Sequence, residues 1–124
     1  MNIPEELKYT KSHEWIKTLE NGTAEIGLSD FAQQELGDIV FVNLPKTGDS
    51  LTEGSAFAEV ESVKVVSEIN SPMNGKITEI NEELLDAPEL INKSPYTAWF
   101  IRAEGSIPES GLLSADEYKN IIKR

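Results

Sequence analysis

Asn21-Gly22 lies between two runs of strand-forming residues in the stretch 13–29, HEWIKTLE-NG-TAEIGLS, and it constrains the fold more than any other feature of the chain. Both residues accept the positive φ of a tight hairpin turn, so the spacing predicts two antiparallel strands joined there. Asn74-Gly75, closing Ser71-Pro72-Met73-Asn74-Gly75, is a second turn signal. Between them, 38–44 reads as a buried strand stopped by Pro45, and 46–50 as a turn. Residues 54–61 alternate, with Ala56, Ala58 and Val60 on one face and Phe57, Glu59 and Glu61 on the other. Strand character returns at 65–70 and 76–80, and Trp99-Phe100-Ile101 reads as a last core strand. Only short helices are expected. Ser29 or Asp30 caps one that Gly37 closes, residues 82–91 form a loop with one helical turn, and Ser114 and Glu117 have capping-box spacing at the head of a helix over 114–124. In that last helix Lys123 and Arg124 suit the C-terminal dipole. About eight short strands at close spacing favour an antiparallel all-β barrel or sandwich.

A chain of 124 residues is expected to form a single domain over 1–124. Its formal charge of −11 repels phosphate backbones and anionic headgroups, which argues against nucleic acid and membrane partners and for proteins with basic patches. The acidic start MNIPEELKYT is unlike a secretory signal, and a cytoplasmic location is expected. Cysteine is absent, so any sulfur chemistry has to be attached from outside. His13 is the only histidine, which removes a Ser-His-acid relay and a multi-histidine metal site and leaves it a packing or capping role. Paired carboxylates remain, but twenty-two acidic residues make any such pair uninformative.

One lysine stands out. ESVKVVSEI, residues 61–69, must reverse direction near Val63-Lys64, which places Lys64 at a hairpin tip with its side chain in solvent. A lysine there is ordinarily a soluble turn residue. This turn, however, lacks Gly, Asn or Asp, and its valines stiffen the backbone. A rigid tip holding one amine suits modification by a separate enzyme. A solvated, protonated amine makes a poor nucleophile, so an attachment site is the better reading.

Read along its length, the chain resembles the H protein family of the glycine cleavage system. The resemblance rests on Leu7-Lys8-Tyr9-Thr10, Ser12-His13-Glu14-Trp15, 26–33 (IGLSDFAQ), 36–42 (LGDIVFV), Glu61-Ser62-Val63-Lys64, Ser71-Pro72-Met73-Asn74-Gly75, and Leu90-Ile91-Asn92 leading to Pro95-Tyr96. It implies a lipoyl/biotinyl-carrier-like barrel-sandwich hybrid of two small antiparallel sheets with a C-terminal helix, and lipoate joined by an amide to Lys64. It also implies a non-catalytic carrier of the aminomethyl group of glycine. The implied partners are a pyridoxal-phosphate glycine decarboxylase (P protein), a folate-dependent aminomethyltransferase (T protein), dihydrolipoyl dehydrogenase (L protein), and a lipoate ligase or octanoyl/lipoyl transferase. No metal is implied.

Biotin carriers share the fold, but their lysine sits between methionines, where this chain has Val63 and Val65. By the same resemblance, Glu61 is a recognition residue for the lipoylating enzyme, and Ser12, Glu14 and Glu68 are the residues of a cleft that holds the aminomethyl ammonium. A carboxylate there offers a charge-assisted hydrogen bond, although Ser12 and Glu14 also read as ordinary polar residues at a strand start. The chain departs from the family at Val65-Val66, at Glu68 and in the short Tyr96-Thr97-Ala98-Trp99 spacing, expected to alter a surface loop. These departures keep open a second role, as lipoyl relay donor to 2-oxo acid dehydrogenase complexes. A small acid/base catalyst of clustered carboxylates is a third reading, and the missing histidines and thiols count against it.

Overall fold

The structure, a computed structural model, describes residues 1–123; Arg124, assigned above to the last helix dipole, lies outside the described residues. Strand β1 (Lys8–Tyr9) pairs with β2 (Glu14–Thr18), which forms the expected hairpin with β3 (Ala24–Leu28), Ile16 opposite Ile26. The turn differs in form from the expectation. Leu19 N–H bonds Thr23 O at 2.8 Å, leaving a three-residue loop in which Gly22 takes φ 82°. Asn21 contributes through its side chain, whose Oδ1 accepts from Thr23 N and Oγ1.

Helix α1 (Asp30–Leu36) is capped by Ser29, whose hydroxyl accepts from Ala32 N, and closed by Gly37 at φ 82°. Next come β4 (Ile39–Asn43), β5 (Ser50–Leu51), β6 (Ala56–Ser62), β7 (Val66–Asn70) and β8 (Asn74–Ile80). Two short helical turns, α2 (Glu83–Asp86) and α3 (Leu90–Lys93), stand where one was expected. Strand β9 (Ile101–Ser106), a 3-10 turn at Glu109–Gly111 and α4 (Ala115–Ile121) complete the chain. Both halves of the Ser114–Glu117 capping box form.

The strands make a six-stranded antiparallel sheet, β1-β2-β3-β9-β8-β5, and a three-stranded one, β4-β6-β7; the pair forms an unclosed lipoyl-domain-like barrel-sandwich. Ile26, Ile77 and Ile101 of the larger sheet and Val42, Val60 and Ile69 of the smaller fill a common core. A second cluster packs α4 on the larger sheet, with Tyr9 stacked on Tyr118 at 4.7 Å between centroids.

Three expectations need correction. Asn74-Gly75 is no turn: it opens β8, with Gly75 opposite Gly105. Glycine is needed because an added Cβ would fall onto the carbonyl oxygen of Glu104. Strand 38–44 is not buried throughout, since a bulge between Ile39 and Phe41 leaves Val40 and Phe41 exposed. The last strand begins at Ile101 rather than Trp99. Phe100 is a core residue as expected and Trp15 is another, whereas Trp99 is half-buried under the Arg102 guanidinium, 4.1 Å from its ring.

Candidate functional site

Lys64 does sit at the β6–β7 turn, and the reason the turn closes without glycine is Ser62. Its buried hydroxyl accepts from Lys64 N and Val65 N, each at 3.1 Å, while Ser62 N donates to Val65 O at 2.8 Å. The side chain supplies what a left-handed residue supplies in a tighter turn, so valine is tolerated on both sides. The tip is also tied sideways, Val63 N donating to Asp38 O at 3.1 Å.

The Lys64 side chain is exposed, but it leans over the end of α1 rather than straight into solvent. A Cβ placed on Gly37 would come within 3.2 Å of Lys64 Cε and 3.8 Å of Nζ. Around it stand exposed Val63, Val65 and Val66 from the hairpin and Val40 and Phe41 from β4. Phe41 lies opposite Glu61, and Glu61 opposite Val66, so the exposed Glu61 carboxylate sits among apolar neighbours on the outer face of the smaller sheet.

Ser12 and Glu14 come together at the other end of β7. Glu14 is 1% exposed, yet its carboxylate borders a cavity of about 140 Å³ lined also by Thr10, Asn70, Pro72 and Gly111. Oε1 accepts from the Thr10 hydroxyl at 2.6 Å and the Ser12 hydroxyl at 2.5 Å, and Oε2 from Asn70 N at 3.2 Å. Burial pushes the carboxyl above its ordinary range, and these donors pull part of the way back. Among the described residues no cation lies within ion-pair distance of it. It is a preformed acceptor with room beside it for a small cation.

Glu68 does not join them. It is exposed on the outer face, opposite Glu59, and lines a separate groove with Phe57, Asp49 and Pro45. Strand alternation is the cause: Ile69 points into the core, so Glu68 points away from it. The positions relative to Lys64 differ too. At ~3.3 Å per residue, Glu68 lies about 7 Å along β7 from Val66, where the strand leaves the Lys64 turn, and Asn70 about 13 Å.

Sequence reasoning missed Thr10, Ser62 and Asn70 as parts of this arrangement, because each acts through a backbone group or a distant element. A legible signal existed only for Ser62, which sits where a side-chain-closed turn needs a hydroxyl. His13 packs locally: its Nδ1 lies 2.9 Å from the Tyr118 hydroxyl, which lies 2.6 Å from Ser29 Oγ, the cap of α1. Burial pushes the imidazole below its ordinary value. His13 also takes φ 76°, turning the chain into β2. The shortened 96–99 spacing forms a compact turn, Thr97 N and Ala98 N both donating to Ser94 O, and Ala98 is buried. Among the described residues no three metal-ligating side chains gather, and no helix is long and apolar enough to cross a membrane.

Residues 7–124 match the model of the family described as glycine cleavage H-protein. The chain is 54% identical over 125 residues to the glycine cleavage system H protein of Staphylococcus epidermidis, covering 98% of each. It is 50% identical to that of Lachnoclostridium phytofermentans, covering 100% of this chain and 98% of the relative. The crystal structure of a glycine cleavage system H protein from Mycobacterium marinum superposes with a TM-score of 0.88 at 37% identity, over 95% of this chain and 97% of that one.

Proposed function

The chain belongs to the glycine cleavage H-protein family, the lipoyl-carrying shuttle of the glycine cleavage system, and from that premise we propose that Lys64 carries the lipoyl group as an amide on Nζ. The observation that supports the assignment is the seat of the hairpin. A single exposed amine stands on a turn closed by Ser62 and tied to Asp38, over a glycine whose missing Cβ leaves room for the lysine stem. When bound, the group supplies the disulfide that accepts the aminomethyl group, sulfur that a cysteine-free chain lacks.

The chain's own residues then hold and present. Glu61, three residues before Lys64 and flanked by Phe41 and Val66, is the carboxylate by which a lipoate ligase or octanoyl/lipoyl transferase recognises the hairpin. Ser12 and Glu14 line the site for the aminomethyl ammonium; a buried carboxylate gains a charge-assisted bond that water no longer competes for. Glu68, on the other face, is left with no part in that pocket and belongs to the acidic outer surface. Sequestration slows loss of the aminomethyl group to water while the carrier moves between enzymes.

Catalysis falls to the partners: the glycine decarboxylase (P protein), the aminomethyltransferase (T protein) and the dihydrolipoyl dehydrogenase (L protein), in the cytoplasm. The test is glycine-dependent exchange of labelled CO2 by the decarboxylase with lipoate-loaded protein. Wild type is expected to support exchange and Lys64→Arg to support none. A loaded wild type that supports no exchange, yet hands its lipoyl group to a 2-oxo acid dehydrogenase, would replace this reading with the relay role.

A further inference from the structure

The hairpin that presents Lys64 is paired with β4 as far as Ile39 opposite Ser62, and beyond that pair its tip is tied to one peptide. Val63 N–H donates to the carbonyl of Asp38, and Asp38 belongs to the short link between α1 and β4. Links of this kind are free to rock unless both flanking peptides are held. Here both are held by one side chain from a third element, Asn92 on α3. Its Nδ2 donates to Gly37 O and to Gln33 Oε1, each at 2.9 Å, and its Oδ1 accepts from Ile39 N at 2.9 Å. The residue before it, Ile91, is fully buried, which fixes where the amide is aimed. Gly37, gripped through its carbonyl, is also the residue over which the lysine stem lies.

We propose that Asn92 is the positioning residue of the lysine-bearing hairpin: by clamping Gly37 and Ile39 it fixes the Asp38 carbonyl that receives Val63 N–H, and so sets where Lys64 is presented to the acylating enzyme. The inference deepens the assignment of Lys64 and rests on it for its functional half. An amide is required chemically. Two donors and an acceptor are used at once, and neither a carboxylate nor a hydroxyl offers that set in the same space. Asn92→Asp keeps the shape and the acceptor for Ile39 N but turns an oxygen toward the Gly37 carbonyl, opening the clamp while leaving Ile91 packed.

Amide hydrogen exchange on the unmodified chain tests the clamp without any cofactor. In Asn92→Asp the Val63 amide is expected to exchange on the order of tenfold faster, as for loss of one restraining hydrogen bond, with the β3 amides unchanged. Gln33→Met, which removes one acceptor of the clamp from α1, should shift Val63 in the same direction by less, and serves if Asn92→Asp does not fold. Acylation of Lys64 by lipoate ligase should slow in the same order. An unchanged Val63 amide in the variants, or Val63 and β3 amides speeding up together as in general destabilisation, would overturn the proposal. If the variants move Val63 while the wild type is not acylated, the clamp stands and the assignment of Lys64 is what fails.

Discussion

Glu14 is a carboxyl group whose ionised form is disfavoured in the fold by burial. Burial raises its pKa above the ordinary value despite three hydrogen bonds, so folding favours its protonated form. Its contribution to stability is therefore full below the unfolded value and is lost as pH rises through the folded one. Glu14→Gln, which mimics the protonated acid, should melt higher than wild type at pH 8, with the gain shrinking toward pH 4; calorimetry across that range reads it. The same variant should lose the aminomethyl group from the loaded protein on the order of tenfold faster, because the ammonium no longer meets a charge. A gain in stability joined to a loss of protection is what a binding residue shows. The hairpin-tip position of Lys64 was legible in the local sequence, whereas the role proposed for Glu61 rests on the family resemblance alone. The pocket was legible only through family resemblance, because Thr10, Glu14 and Asn70 are brought together by tertiary structure. Glu68 could have been placed by parity with Ile69 alone.

At the scale of elements, the two Asn-Gly pairs show what a turn signal does and does not determine. The first makes a turn because nothing but solvent surrounds it; a Cβ on Gly22 would meet no atom within 4 Å. The second is held extended because Gly75 is where the Glu104 backbone approaches, and that constraint comes from pairing with β9, not from its neighbours in sequence. Gly75→Ala should accordingly destabilise by about 1–3 kcal/mol in chemical denaturation, as overpacking does, while Gly22→Ala should show a backbone strain cost alone. The alternation of β6 was legible from Ala58 onward, whereas Ala56, expected on the same packed face, is exposed beside an irregularity between Ala56 and Ala58; the exposure of Val40 and Phe41 was not legible, since a bulge breaks the parity that any reading of β4 assumes. In the hairpin, Ser62→Ala removes the acceptor for two amides and should cost about 1 kcal/mol, with a larger proportional effect on acylation of Lys64 than on the melting temperature.

For the whole molecule, the proposed function assigns partner recognition jointly to the −11 charge and to a collar of exposed apolar residues around Lys64, namely Val40, Phe41, Val63, Val65 and Val66. Long-range attraction to basic patches sets how fast partners meet, so association rates should fall steeply between low and physiological salt. The collar acts only at contact. Phe41, 57% exposed, can become serine with a stability change within about 0.5 kcal/mol, but dissociation from the decarboxylase and the lipoylating enzyme should quicken. Surface plasmon resonance at two salt concentrations separates the two effects. All of this depends on Lys64 being the attachment point, and the intact mass of the protein co-expressed with a lipoylating enzyme and lipoate tests that directly. One lipoyl increment is expected on the wild type and none on Lys64→Arg. An increment that persists in Lys64→Arg, or a wild type left unmodified under conditions that load another carrier, would contradict that assignment.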